Sequence, residues 1–136
     1  MKVSNGKIFV FFGIIHTLLG ISPWAFGKQL AHFSESFFFK ISEGLIEFPL
    51  LNGQMNYENF AAFWFVYFGL LLIPLGLLVL NIEQSNHPLP KSFVRCYLAI
   101  VLIGVYMIPL SGMTFLMLPH AIYMLYQNKQ PKTQVI

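Results

Sequence analysis

The sequence predicts an all-α polytopic membrane bundle: four transmembrane helices, with an extracytoplasmic amphipathic segment between the first and the second. Three observations carry that prediction. Hydrophobic residues make up 57% of the 136 positions and charged residues only 10%, against roughly 45–50% and about 25% in soluble domains. The apolar residues fall in long uncharged runs. The few positive charges gather at one set of run ends. A soluble chain of this size has too small an interior for fifteen phenylalanines, whereas a bilayer solvates them. The length makes a single domain over residues 1–136 the expectation.

The first span is expected over residues 8–26 and the second over 60–80. Each has the ~20 residues that a ~30 Å hydrocarbon core needs. Lys2 and Lys7 ahead of the first apolar run resemble the start of a signal peptide. No small-x-small site precedes Pro23-Trp24-Ala25-Phe26, so an uncleaved first span is expected. No formally charged residue occurs between Arg95 and Lys129. One helix of that length would be about 50 Å long, too long for a bilayer. Pro109-Leu110-Ser111-Gly112 lies near its middle. Proline removes a backbone donor and glycine permits a reversal. The run therefore reads as a tight helical hairpin, 92–108 and 112–127, with a single kinked and tilted helix as the alternative.

Orientation follows from the cations. With the N-terminus inside, Lys2, Lys7, Lys91, Arg95, Lys129 and Lys132 all fall on the cytoplasmic side, and only Lys28 and Lys40 fall outside. That asymmetry predicts a multi-pass protein of the cell membrane with both termini cytoplasmic. Trp24, Tyr57, Trp64, Tyr97 and Tyr126 lie near the expected span ends, as interfacial aromatics do. In the external segment, about 27–59, Phe33, Phe37, Ile41, Leu45 and Phe48 recur at helical spacing among Ser34, Glu35, Ser42, Glu43 and Glu47. That pattern suits an amphipathic helix on the outer surface, ended by Pro49 and Asn52-Gly53.

Gly6, Gly13, Gly20 and Gly27 recur every seven residues, as do Ala62, Gly69 and Gly76. Seven residues are close to two helical turns, so each set forms one narrow stripe of small side chains. Such stripes let helix backbones approach in lipid. The first two spans are therefore expected to pack closely, and the same stripes suit a homo-oligomer or a membrane-protein partner.

Two histidines interrupt the apolar runs. His16 is nine residues beyond Lys7, and His120 lies nine before Lys129. Nine residues rise about 13–14 Å, which puts both imidazoles near the bilayer middle. An ionisable group at that depth calls for an explanation. Three stand open: a hydrogen bond to a hydroxyl or carbonyl, drawing on Thr17, Ser111, Thr114, Tyr67, Tyr106 or Tyr123; a pocket for a small hydrophobic molecule, with Trp64 and Tyr67 of the second span as aromatic walls; or a haem b held by one histidine from each of two helices. Glu43 and Glu47 are one helical turn apart. They are candidates for acid–base chemistry above such a pocket, or simply a solvated face with Lys40 beside them.

Other classes are excluded or unsupported. A net charge of +3 from a few flanking cations is too sparse for nucleic acid. The single cysteine, Cys96, rules out an internal disulfide and a cysteine-based metal cluster. No Gly-rich phosphate loop, His-Glu-x-x-His metal motif or serine nucleophile elbow occurs.

The run Gly13-Ile14-Ile15-His16-Thr17-Leu18-Leu19-Gly20 is joined by a second one, Pro109-Leu110-Ser111-Gly112-Met113-Thr114-Phe115-Leu116 with Pro119. Together they resemble an uncharacterised family of small bacterial four-helix membrane proteins, and more loosely the DoxX-like proteins. The resemblance covers most of the chain in layout and these two segments in motif. It implies four spans in a bacterial inner membrane and implies no activity. At the level of fold alone, the chain is also similar to sterol-isomerase-like four-helix proteins, which set His, Glu and Trp around an intramembrane sterol pocket. His16, Glu43, Glu47 and Trp64 are the same residue types. The expected function is binding of a lipid-like or small hydrophobic molecule between the spans, with the protein acting alone or as an accessory subunit. The alternatives are a membrane enzyme, an isomerase or an oxidoreductase partner, and a purely structural subunit.

Overall fold

The computed structural model describes residues 3–36, 50–51, 54–55 and 57–129. The protein is all-helical there, apart from one pair of two-residue strands. In order come α1 (Asn5–Ile21), α2 (Gly27–Ser36), β1 (Leu50–Leu51), β2 (Gln54–Met55), α3 (Tyr57–Gln84), α4 (Lys91–Met107), a π-helical turn (Met113–Met117) and α5 (Leu118–Lys129). The strands pair antiparallel, Leu50 with Met55 and Leu51 with Gln54. Glu43 and Glu47, with most of the expected amphipathic segment, lie outside the described residues.

One helix, α3, is long and apolar enough to cross a membrane. Its 28 residues make it about 42 Å long at 1.5 Å per residue. Pro74 lies inside it without ending it. α1 is a shorter apolar helix of 17 residues. It starts earlier than the expected span and stops at Ile21 rather than 26. The reason is local: Pro23 cannot continue the ladder, and the Ser22 hydroxyl donates to the Leu19 carbonyl at 2.7 Å. A turn over 23–26 follows, closed by the Phe26 and Gly27 amides on the carbonyls of Gly20 and Ser22.

The long uncharged run is broken where proline and glycine suggest. α4 ends at Met107, and the Ile108 amide closes on the Gly104 carbonyl at 2.9 Å. The Thr114 hydroxyl then donates to the Pro109 carbonyl at 2.6 Å, which ties the π-helical turn to the reversal. α4 packs against both the π-helical turn and α5.

The chain divides into two compact units, one over Phe9–Leu75 and the other joining Met1–Ile8 to Gly76–Ile136. Within the first, α1 approaches α3 backbone to backbone. A Cβ at Gly13 would lie 2.7 Å from the Gly69 carbonyl oxygen, and one at Gly69 would lie 2.9 Å from the Thr17 amide. Only glycine allows that approach. Phe9, Ala62 and Leu72 are buried there. In the second unit a Cβ at Gly6 would collide with the Leu80 backbone. Val79, Val94, Tyr97, Val101, Ala121 and Met124 form its interior.

Candidate functional site

The second unit carries a polar cluster that begins with the start of α1. The first amides of any helix have no partner within it. Ser4 is the N-cap: its Oγ accepts from the Lys7 amide at 3.3 Å. In a capping box the other half would be a Glu or Gln three residues on, but here that position is Lys7. Glu83, from the end of α3, supplies the carboxylate instead. Its Oε1 accepts from the Asn5 amide at 3.0 Å and from Asn5 Nδ2 at 2.8 Å. Its Oε2 accepts from the Ser4 hydroxyl at 2.5 Å and the Gly6 amide at 3.2 Å. The positive end of the α1 dipole favours that negative charge.

Glu83 is held in place by the way α3 ends. Asn86 has φ 58°, a left-handed conformation that asparagine tolerates better than most residues. The His87 amide donates to the Ile82 carbonyl and the Asn86 amide to the Glu83 carbonyl. These two bonds make a Schellman motif, and Pro88 follows it, as is common past a helix end. α5 completes the cluster. Asn5 Nδ2 also donates to Gln127 Oε1 at 2.8 Å, and Gln127 Nε2 donates to the Val3 carbonyl at 3.3 Å. The Tyr123 hydroxyl accepts from the Val3 amide at 3.1 Å. The beginning of α1 is thus clasped by the ends of α3 and α5.

Desolvation alone would push the Glu83 carboxyl up, but the bonds from Ser4, Gly6 and Asn5 outweigh it and hold the group below its ordinary value of 4.5. Asn5 is only 2% exposed. Its two donor bonds fix the amide orientation, which leaves Oδ1 as a buried acceptor that no described residue bonds. Beside this cluster opens a cleft of about 470 Å³, whose polar walls are Ser4, Asn5, Glu83, Asn86, His87, Gln127 and Asn128. Its apolar walls are Val3, Pro88, Leu89 and Met124. A second cleft of about 300 Å³ shares Asn128 and is lined by Lys91, Arg95 and Lys129.

Each histidine singled out from the sequence has protein neighbours within its own unit. His120 is buried on α5, with its Nδ1 3.2 Å from the Tyr97 hydroxyl on α4. Tyr97, near the start of α4, is itself buried within the protein. His16 stacks on Phe65 at 3.9 Å between ring centroids, and Phe68 meets it edge-on at 5.5 Å. Trp64 and Tyr67 are exposed on α3 in an aromatic row, where Tyr67 stacks on Phe63. The hydroxyls of Thr17 and Thr114 bond backbone carbonyls of their own segments, Gly13 and Pro109.

Sequence reasoning missed Ser4, Asn5, Glu83 and Gln127. A signal for the first two was present: Ser-Asn directly before an apolar run marks a helix start. Glu83, an acid standing just beyond the most apolar helix, was a weaker one.

A protein-family model matches residues 1–131; its description is a family of unknown function, DUF6463. No curated protein and no solved structure shows significant similarity to the chain.

Proposed function

The chain belongs to the DUF6463 family, and we propose that it is a membrane protein of four spans that holds a lipid-like or small hydrophobic molecule, alone or as an accessory subunit. One observation carries the membrane reading: large apolar side chains face outward in number, while a few polar ones lie within the largely apolar interior. Leu18, Leu70, Leu77, Ile103 and Phe115 are exposed, whereas Asn5, Asn59 and His120 are buried. In water that arrangement is costly, at roughly 25 cal/mol for each Å² of apolar surface left wet. In a bilayer it is the favourable one. In this reading α3 exceeds the ~30 Å core, so Glu83, three residues past the expected span end at 80, stands in the interface on the cytoplasmic side.

The cleft beside Asn5 and Glu83 suits a ligand better than the surroundings of His16 and His120 do. Both histidines already pack on or bond to aromatic residues. The cleft has the volume of a small-molecule site, and its mixed walls suit an amphipathic molecule at the membrane surface.

Two measurements test this. Membranes containing the protein are washed with alkaline carbonate, and reporters are fused after Gly53, Asn86, Gly112 and the last residue. Retention in the membrane is expected, with the Gly53 and Gly112 fusions outside and the other two inside. Release by carbonate, or an external Asn86 fusion, defeats the four-span reading. Native mass spectrometry of the purified chain should then show a retained lipid-mass adduct, and a bare chain under gentle extraction argues against ligand binding.

A further inference from the structure

Charge is unevenly matched in the unit that joins Met1–Ile8 to Gly76–Ile136. Its sequence holds six cationic side chains, Lys2, Lys7, Lys91, Arg95, Lys129 and Lys132, and one acidic one, Glu83. Glu83 is already engaged, its two oxygens accepting from Ser4, Asn5 and Gly6 at the start of α1. No other side-chain carboxylate of the unit is left for the remaining cations. Three of these, Lys91, Arg95 and Lys129, line the smaller cleft of about 300 Å³ together with Val94, Leu125 and Asn128. No acid is among its described lining residues.

Two of the three stand where a helix disfavours them. Lys91 is the first residue of α4, Arg95 lies one turn on, and the first turn holds no acid. The positive end of the helix dipole repels both. The N-cap residue is Pro90, and no side chain caps this end. At the start of α1 the same difficulty is met by the carboxylate of Glu83, but α4 has no such acid of its own. Lys129 suits the negative end of α5, and it brings a third positive charge to the same concavity. Topology accounts for cations on this side of a membrane. It does not ask for three around one hollow at the start of a helix. An anion seated there would offset all three, and a phosphate would also match the two-pronged geometry of the Arg95 guanidinium.

We propose that the smaller cleft seats the phosphate of an anionic phospholipid from the cytoplasmic leaflet. The choice of a lipid follows from position and from an apolar path. In the four-span reading Lys91 and Arg95 stand at the entrance of the span over 92–108, and Lys129 lies just past the end of the one over 112–127. The cleft then opens at the membrane surface, where basic pockets between helices take up such head groups. Val94 and Leu125 are its apolar walls. Further along the same helix faces come Leu98 and Leu102 on α4 and Ile122 on α5. Leu102 and Ile122 are exposed, which leaves an apolar track for an acyl chain. The assignment rests on the membrane reading above and is independent of what the larger cleft holds.

The test uses the full chain in detergent, given equal amounts of dioleoyl phosphatidylglycerol and dioleoyl phosphatidylcholine, with native mass spectrometry as readout. The two lipids share the phosphate and the chains, but choline adds a fixed positive charge that the three cations repel. Retention of phosphatidylglycerol should be greater by about tenfold, the worth of one charge-assisted hydrogen bond. Lys91→Gln with Arg95→Gln should bring the preference below about twofold. Lys2→Gln with Lys7→Gln removes the same charge from the N-terminus and should leave it at about fivefold or more, because salt screens charges that do not touch the lipid. Leu125→Trp should fill the cleft and abolish the preference with every charge in place, so the test holds even where the charge variants fold poorly. Inorganic phosphate should displace phosphatidylglycerol only in large excess, and displacement at equal concentration overturns the lipid source in favour of a soluble phosphate. Equal retention of both lipids, an equal loss in the two double variants, or a preference that survives Leu125→Trp with helical circular dichroism unchanged overturns the proposal and leaves the membrane reading standing. A chain that is washed off by carbonate and retains neither lipid overturns the membrane reading itself.

Discussion

The two compact units join helices by different physics. In the unit over Phe9–Leu75, α1 and α3 meet where side chains are missing: Gly13 faces Gly69, and Thr17 lies against Gly69 with its hydroxyl turned back on its own helix. In the other unit the start of α1 is joined to α3 and α5 by hydrogen bonds gathered on Glu83, Asn5 and Gln127. The first kind of contact depends on volume and is indifferent to charge. The second depends on donors, acceptors and ionisation. A bilayer interior permits the first at any depth, whereas an ionised carboxylate belongs near water. In the membrane reading, each kind of contact lies where its physics is cheapest.

The largest expected effect comes from removing the carboxylate. Glu83→Ala leaves four donors of Ser4, Asn5 and Gly6 without their acceptor. Buried donors left so cost about 1–3 kcal/mol each, with partial rescue by water, so a loss of about 3 kcal/mol is expected in thermal unfolding in detergent. Glu83→Gln should recover part of it by keeping one acceptor oxygen. A melting temperature unchanged by both would show that the clasp contributes nothing. Acid tests the same group without mutation. The folded-state pKa of Glu83 lies below the ordinary value of 4.5, so its stabilisation is complete above pH 4.5 and is lost as the pH falls through the folded-state value. Stability measured from pH 7 down to 3 should drop only below that point, and Glu83→Gln should flatten the drop.

Next in size is the glycine contact. Gly13→Val would press a branched side chain onto the Gly69 carbonyl, a backbone atom that cannot give way cheaply. Overpacking of this sort costs about 1–3 kcal/mol. The penalty should be independent of pH, and a pH-dependent one would erase the contrast between the units. Smaller again is the Tyr97–His120 pair. In the four-span reading, a double-mutant cycle with Tyr97→Phe and His120→Phe should give a coupling of about 0.6 kcal/mol, the average for hydrogen bonds between membrane helices; zero coupling would mean that the 3.2 Å contact is packing alone. Smallest is His16→Phe. The substitution keeps the stack on Phe65, an interaction worth about 0.5–1.5 kcal/mol, so the change should stay below about 0.5 kcal/mol. A large loss, or a lost absorbing cofactor, would return His16 to the role of ligand contact.

How much of this was legible in the sequence varies by residue. The helix break near Pro109 was readable because proline acts on its own backbone. The seven-residue glycine stripe was readable because periodicity along a helix maps directly onto a face, although the sequence did not say what the stripe would meet. Nearness to a span end did not reveal that Tyr97 is covered by protein and faces His120, because sequence spacing does not say which neighbour a helix face will meet. The apolar run extends the expected first span to 26, whereas α1 ends at Ile21, where Ser22 and Pro23 turn the chain. Glu43 and Glu47 fall outside the described residues.

By itself the sequence determined the helical class, the apolar character of the segments and the rows of small residues, because these depend on each residue and its near neighbours along one helix. Which carboxylate caps α1 was decided only by the tertiary structure. Ser4 and Glu83 are 79 positions apart, and Asn5 and Gln127 are 122 apart. No local pattern records such a pairing, because a hydrogen bond depends on where donor and acceptor end up in space and not on their spacing along the chain.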